Sequence, residues 1–119
     1  MRKTLLIAAA VVALAAAGQA AAHARLLKSD PAKGATVAAP AALKLTFSEG
    51  VVAAKSSVTV AGPDGKPAST GPMSVDAKTK KTVMVPVTGK LAKGAYKVDW
   101  SMTSEDSHNM TGTFGFKVK

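Results

Sequence analysis

The chain reads as all-β, a small antiparallel sandwich or barrel, on three observations. Short runs rich in β-branched and aromatic residues alternate apolar with polar positions. Clusters of Gly, Pro and Asp punctuate those runs. No stretch of helical period follows the alanine-rich start. A period of two places successive side chains on opposite faces of a sheet, and regular turn signals between such runs describe stacked antiparallel strands.

The elements follow in order. Leu43, Leu45 and Phe47 alternate with Lys44 and Thr46, and Val58 and Val60 flank Thr59. Gly62-Pro63-Asp64-Gly65 is a turn signal after that second run. Val83, Val85 and Val87 alternate again, with Pro86 inside the run. Proline cannot donate to a ladder, so an edge position or a bulge is expected there. Tyr96, Val98 and Trp100 point one way, Lys97 and Asp99 the other. Gly89 and Gly94 bracket the connection before them. Phe114, Phe116 and Val118 close the chain with the same period. Trp100, Phe114 and Phe116 are expected in the core. Met84 and Met102 read as core fillers, while Met73 and Met110 join no dense methionine cluster.

Ahead of the strands stands a secretory leader. Arg2 and Lys3 form a basic start, Leu5 to Ala17 an apolar stretch, and small residues lead to Ala20-Ala21-Ala22. The apolar stretch is short for a stable membrane span. Cleavage after Ala22 is preferred. A cut after Ala20, at Gly18-Gln19-Ala20, also satisfies the small-residue rule. The expected organisation is a signal peptide over 1–22 and one domain over 23–119, with a periplasmic or secreted destination. The chain has no cysteine, which excludes a lipoprotein thiol, disulfides and a thiolate metal site.

Sixteen Lys and Arg face seven Asp and Glu, a formal net charge of +9. Arg2 and Lys3 leave with the leader. The remaining basic residues are scattered, with Lys78, Lys80 and Lys81 the one tight group. Nucleic-acid binding would want a basic stripe interleaved with aromatics, and aromatics are few, so no nucleic-acid partner is expected. The charge reads as a solvated surface, at most in weak contact with anionic lipid or polyanion.

The two histidines carry the chemistry. Cleavage after Ala22 makes His23 the first residue of the mature chain, with its α-amine and imidazole on one residue. These two nitrogens can chelate a metal as an internal histidine cannot. The other histidine, His108, lies in Ser104-Glu105-Asp106-Ser107-His108. In an extended segment residues i and i+2 face one side, so Asp106 and His108 can aim at one point while Ser107 faces away. An isolated D-x-H more often belongs to a solvated loop. Paired with a terminal histidine it describes a site. Two imidazoles, an amine and a carboxylate suit tetragonal Cu(II) better than tetrahedral Zn(II). One Cu(II) per chain is expected, held by His23, Asp106 and His108. Glu49 and Glu105 read as solvated or structural carboxylates.

With these motifs the chain resembles the CopC-type periplasmic copper-binding proteins. The matching stretches are His23-Ala24, Leu27 through Ala35 with its Ser29-Asp30-Pro31, Leu45-Thr46-Phe47-Ser48-Glu49, and Gly94 through Trp100. Ser104 to His108 and Gly112 to Val118 complete them. The resemblance implies a small Greek-key β-barrel or sandwich of immunoglobulin-like character. It implies Cu(II) held by the amine and imidazole of His23 with Asp106 and His108. It also implies periplasmic buffering or carriage of copper, often beside a CopD-type inner-membrane copper transporter. Two departures stand out. The methionine-rich Cu(I) loop of some members is not recognisable, and Ser107 stands where the family often has Gly.

A non-catalytic, monomeric copper carrier, soluble once the leader is removed, is the leading functional expectation. A histidine-brace copper monooxygenase is the enzymatic alternative. It is disfavoured because so small a domain spends nearly all its residues on a core, and because a coordinating carboxylate opposes reduction to Cu(I). A metal-free immunoglobulin-like interaction module is the third.

Overall fold

A computed structural model describes residues 25–119; the leader and His23 lie outside the described residues. Eight strands follow in chain order: β1 Leu26–Asp30, β2 Thr36–Val37, β3 Ala42–Phe47, β4 Ser57–Ala61, β5 Ser74–Val75, β6 Thr82–Pro86, β7 Gly94–Thr103 and β8 Asn109–Val118. The single helical feature among the described residues is one 3-10 turn, Ala53–Lys55. The strands form two open four-stranded sheets, ordered β1-β3-β6-β5 and β2-β8-β7-β4. The sandwich, not a closed barrel, is therefore the architecture. All strand pairs are antiparallel except β2 with β8.

The alternation that marks the strands also builds the core. Leu43, Leu45 and Phe47 of β3 and Val83 and Val85 of β6 face inward from one sheet. Tyr96, Val98, Trp100 and Met102 of β7 and Phe114, Phe116 and Val118 of β8 meet them from the other. Phe47 packs edge-on against Trp100, ring centroids 5.1 Å apart at 68°, so the two sheets are joined through an aromatic pair. Tyr96 stacks on Phe116 at 5.3 Å, and its hydroxyl donates to the Ala92 carbonyl at 2.6 Å. The buried ring thereby keeps its polar tip satisfied.

Two expectations are corrected. Pro86 is neither on an edge strand nor in a bulge. It is the last residue of β6, which lies between β3 and β5, and its carbonyl accepts from Gly71 N–H. A terminal position loses no central ladder bond. Met84 is no core filler. With Val83 and Val85 facing inward, the pleat turns Met84 outward, and it is 37% exposed. Met102 is fully buried, as expected.

The register of β1 has its own irregularity. Leu26 pairs with Phe47 but Lys28 pairs with Thr46, so Leu27 is the extra residue of a bulge and stands exposed. Beyond the bulge the backbone of Arg25 is fixed at both ends. Its N–H donates to Ser48 Oγ at 2.8 Å, and its carbonyl accepts from Ser48 N–H at 2.9 Å.

Candidate metal centre

β7 and β8 form a ten-pair ladder whose last pair is Thr103 with Asn109. The five residues Ser104 to His108 turn the chain between them. Ser104 N–H donates to the His108 carbonyl at 2.9 Å, and Ser107 N–H to the Ser104 carbonyl at 2.9 Å. Ser107 closes the reversal with φ +71°, the left-handed region that glycine fills without steric cost.

Asp106 and His108 come together in this turn. His108 Nδ1 stands 3.1 Å from Asp106 Oδ2, and both side chains are about half exposed. The convergence was expected from extended alternation, and that route is wrong. A hairpin must reverse here, so the left-handed Ser107 folds the two side chains onto one side. Ser107 itself faces solvent.

A buried residue supports the pair. Ser104 is 1% exposed, and its hydroxyl donates to Asp106 Oδ1, with the His108 carbonyl as a second acceptor at 3.2 Å. The Ser104 hydroxyl above all, against the opposing effect of burial and helped by the His108 backbone N–H and ring, holds the Asp106 carboxyl below its ordinary value. Asp106 is thus an anion at neutral pH. Glu105 is directed elsewhere. Its carboxylate lies 4.0 Å from Lys80 Nζ and over Gly50, where a Cβ would stand 2.5 Å from Oε1. That fits its expected structural role.

The turn and the start of the described chain share one platform, residues 48–51. Ser48 holds Arg25, Glu105 N–H donates to the Gly50 carbonyl at 3.1 Å, and Val51 bridges Ser104. A 3-10 turn buttresses the same end. Thr103 Oγ1 donates to the Lys55 carbonyl at 2.9 Å, and Thr103 N–H to Ser56 Oγ at 3.0 Å.

An imidazole nitrogen and a carboxylate oxygen 3.1 Å apart have the spacing of neighbouring ligands on one small divalent ion. Bonds of ~2.0–2.2 Å at about a right angle give about that separation. Among the described residues no group of three His, Cys, Asp or Glu converges; Asp106 and His108 stand as a pair. Sequence reasoning missed Ser104 and Ser48 as supports. Both lie within the motifs that match the family, but hydropathy does not reveal which hydroxyl is buried or what it holds.

The fold and this pair define a small two-sheet domain with an Asp–His turn between its two longest strands. The CopC domain family model matches residues 26–119, and the chain belongs to that family. Protein YobA of Escherichia coli strain K12 is 39% identical over 99 residues, covering 82% of this chain and 80% of its own length. Copper resistance protein C of Pseudomonas syringae pv. tomato is 38% identical over 103 residues, covering 82% of each chain. The crystal structure of CopC from Methylosinus trichosporium OB3b superposes with a TM-score of 0.75 at 31% identity, over 82% of this chain and 94% of that one. Among the described residues no helix is long and apolar enough to cross a membrane.

Proposed function

We propose that this protein binds one Cu(II) in the periplasm and buffers or carries it for copper resistance, without catalysing a reaction. In this reading the leader 1–22 is removed and the domain 23–119 acts alone as a monomer. The His23 amine and imidazole join Asp106 and His108 around the ion. Delivery to a CopD-type inner-membrane transporter is the natural onward step. Relatives named copper resistance protein C support the role.

The observation that carries the reading is the shared platform. Arg25 is clamped to Ser48, and the Asp106–His108 turn is bound to Gly50 and Val51, on the same short loop. Two residues of chain span at most about 7 Å, so a chain beginning at His23 would carry its α-amine no farther than that from Arg25. Three nitrogens and a carboxylate, with no thiolate, favour the divalent ion.

The test compares two recombinant forms, one beginning at His23 and one with a single extra N-terminal residue. Intact mass fixes each terminus, and titration with Cu(II) gives stoichiometry and affinity. One equivalent is expected to bind the authentic form much more tightly. Equal affinities would remove His23 from the site, and no binding to either would remove copper from the function.

A further inference from the structure

We infer that Ser104 is the positioning residue of the copper site, acting through the Asp106 carboxylate. The inference rests on the copper-binding reading above. Asp106 lies on an exposed turn, with its side chain about half in solvent. Packing therefore does little to fix its rotamer, and hydrogen bonds must do so. One carboxylate oxygen, Oδ1, accepts from the Ser104 hydroxyl; the other, Oδ2, faces His108 Nδ1 at 3.1 Å.

The two supports differ in kind. His108 is itself half exposed and on the same turn. Ser104 is 1% exposed and belongs to the frame: its backbone bridges Val51 and bonds to both Ser107 and His108. Its hydroxyl thus transmits the position of the 48–51 platform to the carboxylate. With Oδ1 so held, Oδ2 points to the imidazole side, where the ion would sit. A hydroxyl also satisfies Oδ1 without competing for copper, as a thiol or imidazole in its place would. Groups that orient metal ligands in this way influence affinity without touching the metal.

The experiment is a double-mutant cycle on the form beginning at His23: wild type, Ser104→Ala, Asp106→Ala and the double variant. Cu(II) affinity is read by chelator competition, the copper environment by electron paramagnetic resonance, and folding by thermal melting without metal. Loss of orientation predicts that Ser104→Ala weakens Cu(II) binding by about 10-fold and shifts the spectrum. In the Asp106→Ala background the same change is expected to alter affinity by less than about 2-fold, because the hydroxyl then has no carboxylate to hold. Ser104→Thr keeps the hydroxyl and is expected to stay within about 3-fold of wild type.

Equal affinity loss from Ser104→Ala in both backgrounds would make Ser104 merely structural and overturn the inference. So would wild-type affinity in Ser104→Ala while Asp106→Ala is impaired. If Ser104→Ala does not fold, the Thr variant decides: a folded Ser104→Thr that loses binding as Asp106→Ala does refutes the role. Absence of Cu(II) binding in wild type refutes the copper reading itself, and this inference with it.

Discussion

Gly112 stands opposite Trp100 in the β7–β8 ladder, and replacing it with alanine tests whether the core is as tight as its contacts imply. A Cβ built on Gly112 would stand 2.5 Å from Trp100 Cε2 and 2.8 Å from Nε1, and nearer still to Cζ2. Unbonded carbons prefer about 3.5–4.0 Å, so the indole would have to retreat by about 1 Å. It has little room, since Trp100 is 8% exposed and its ring already meets the fully buried Phe47. Overpacking of this kind costs about 1–3 kcal/mol, and a rigid bicyclic ring belongs at the upper end. Alanine recovers ~0.5–1 kcal/mol of strand conformational entropy relative to glycine. The net expectation for Gly112→Ala is a loss of about 2 kcal/mol, or about 8–16 °C in Tm for a domain of this size. Trp100 is the single tryptophan, so its fluorescence reports urea unfolding directly. The midpoint should fall with little change in slope. A variant within about 0.5 kcal/mol of wild type would refute the close packing of ring on backbone.

Other expectations follow from the turns. Ser107→Gly relieves a left-handed residue worth about 1–2 kcal/mol against glycine's greater unfolded-state entropy, so thermal melting should show a gain of up to about 1 kcal/mol with Cu(II) affinity retained. Asp76 accepts from the Thr79 hydroxyl and the Lys78 N–H, in that order of influence, and its carboxyl is held below its ordinary value. A depressed carboxylate stabilises above the unfolded-state value of ~3.9 and loses that contribution as pH falls through its folded value. Asp76→Ala should therefore melt earlier than wild type at neutral pH, and the gap should close below about pH 4; a gap unchanged by acid would point to packing instead. Protons compete with copper for the amine and imidazoles, so chelator competition should show Cu(II) affinity falling from neutral to acidic pH and exceeding that for Cu(I). A flat profile would shift the ligand assignment towards carboxylates or methionines.

Much of the fold was legible because the long strands alternate over most of their length. The period of Tyr96, Val98 and Trp100 against Lys97 and Asp99 is enough to identify the inner face of β7. Met84 shows the cost of judging a residue by type, since its neighbours Val83 and Val85 already assign it outward. Pro86 was misplaced because a strand's end and a sheet's edge excuse a missing N–H equally well, and only pairing separates them. At the site, Asp106 and His108 could be picked from their chemistry. The left-handed Ser107 and the buried hydroxyl of Ser104 could not, because both depend on how a five-residue hairpin closes against a loop more than fifty positions earlier. His23 is legible only as chemistry at an expected cleavage point, and it lies outside the described residues.

The two hydrogen bonds between Arg25 and Ser48 fix the point from which the preceding chain extends. If cleavage frees the amine of residue 23, two residues of chain would confine it to a sphere of about 7 Å around the clamp, equivalent to a local concentration of about 1 M. Short flexible linkers usually deliver only ~mM, so, in the proposed site, a chain end at His23 would meet the other ligands at unusually high effective molarity. Affinity at such a divided site depends on reach as well as on donors. Five flexible residues inserted between Ala24 and Arg25, with His23 still first, would keep every ligand and dilute the amine about six-fold by the −3/2-power dependence on tether length.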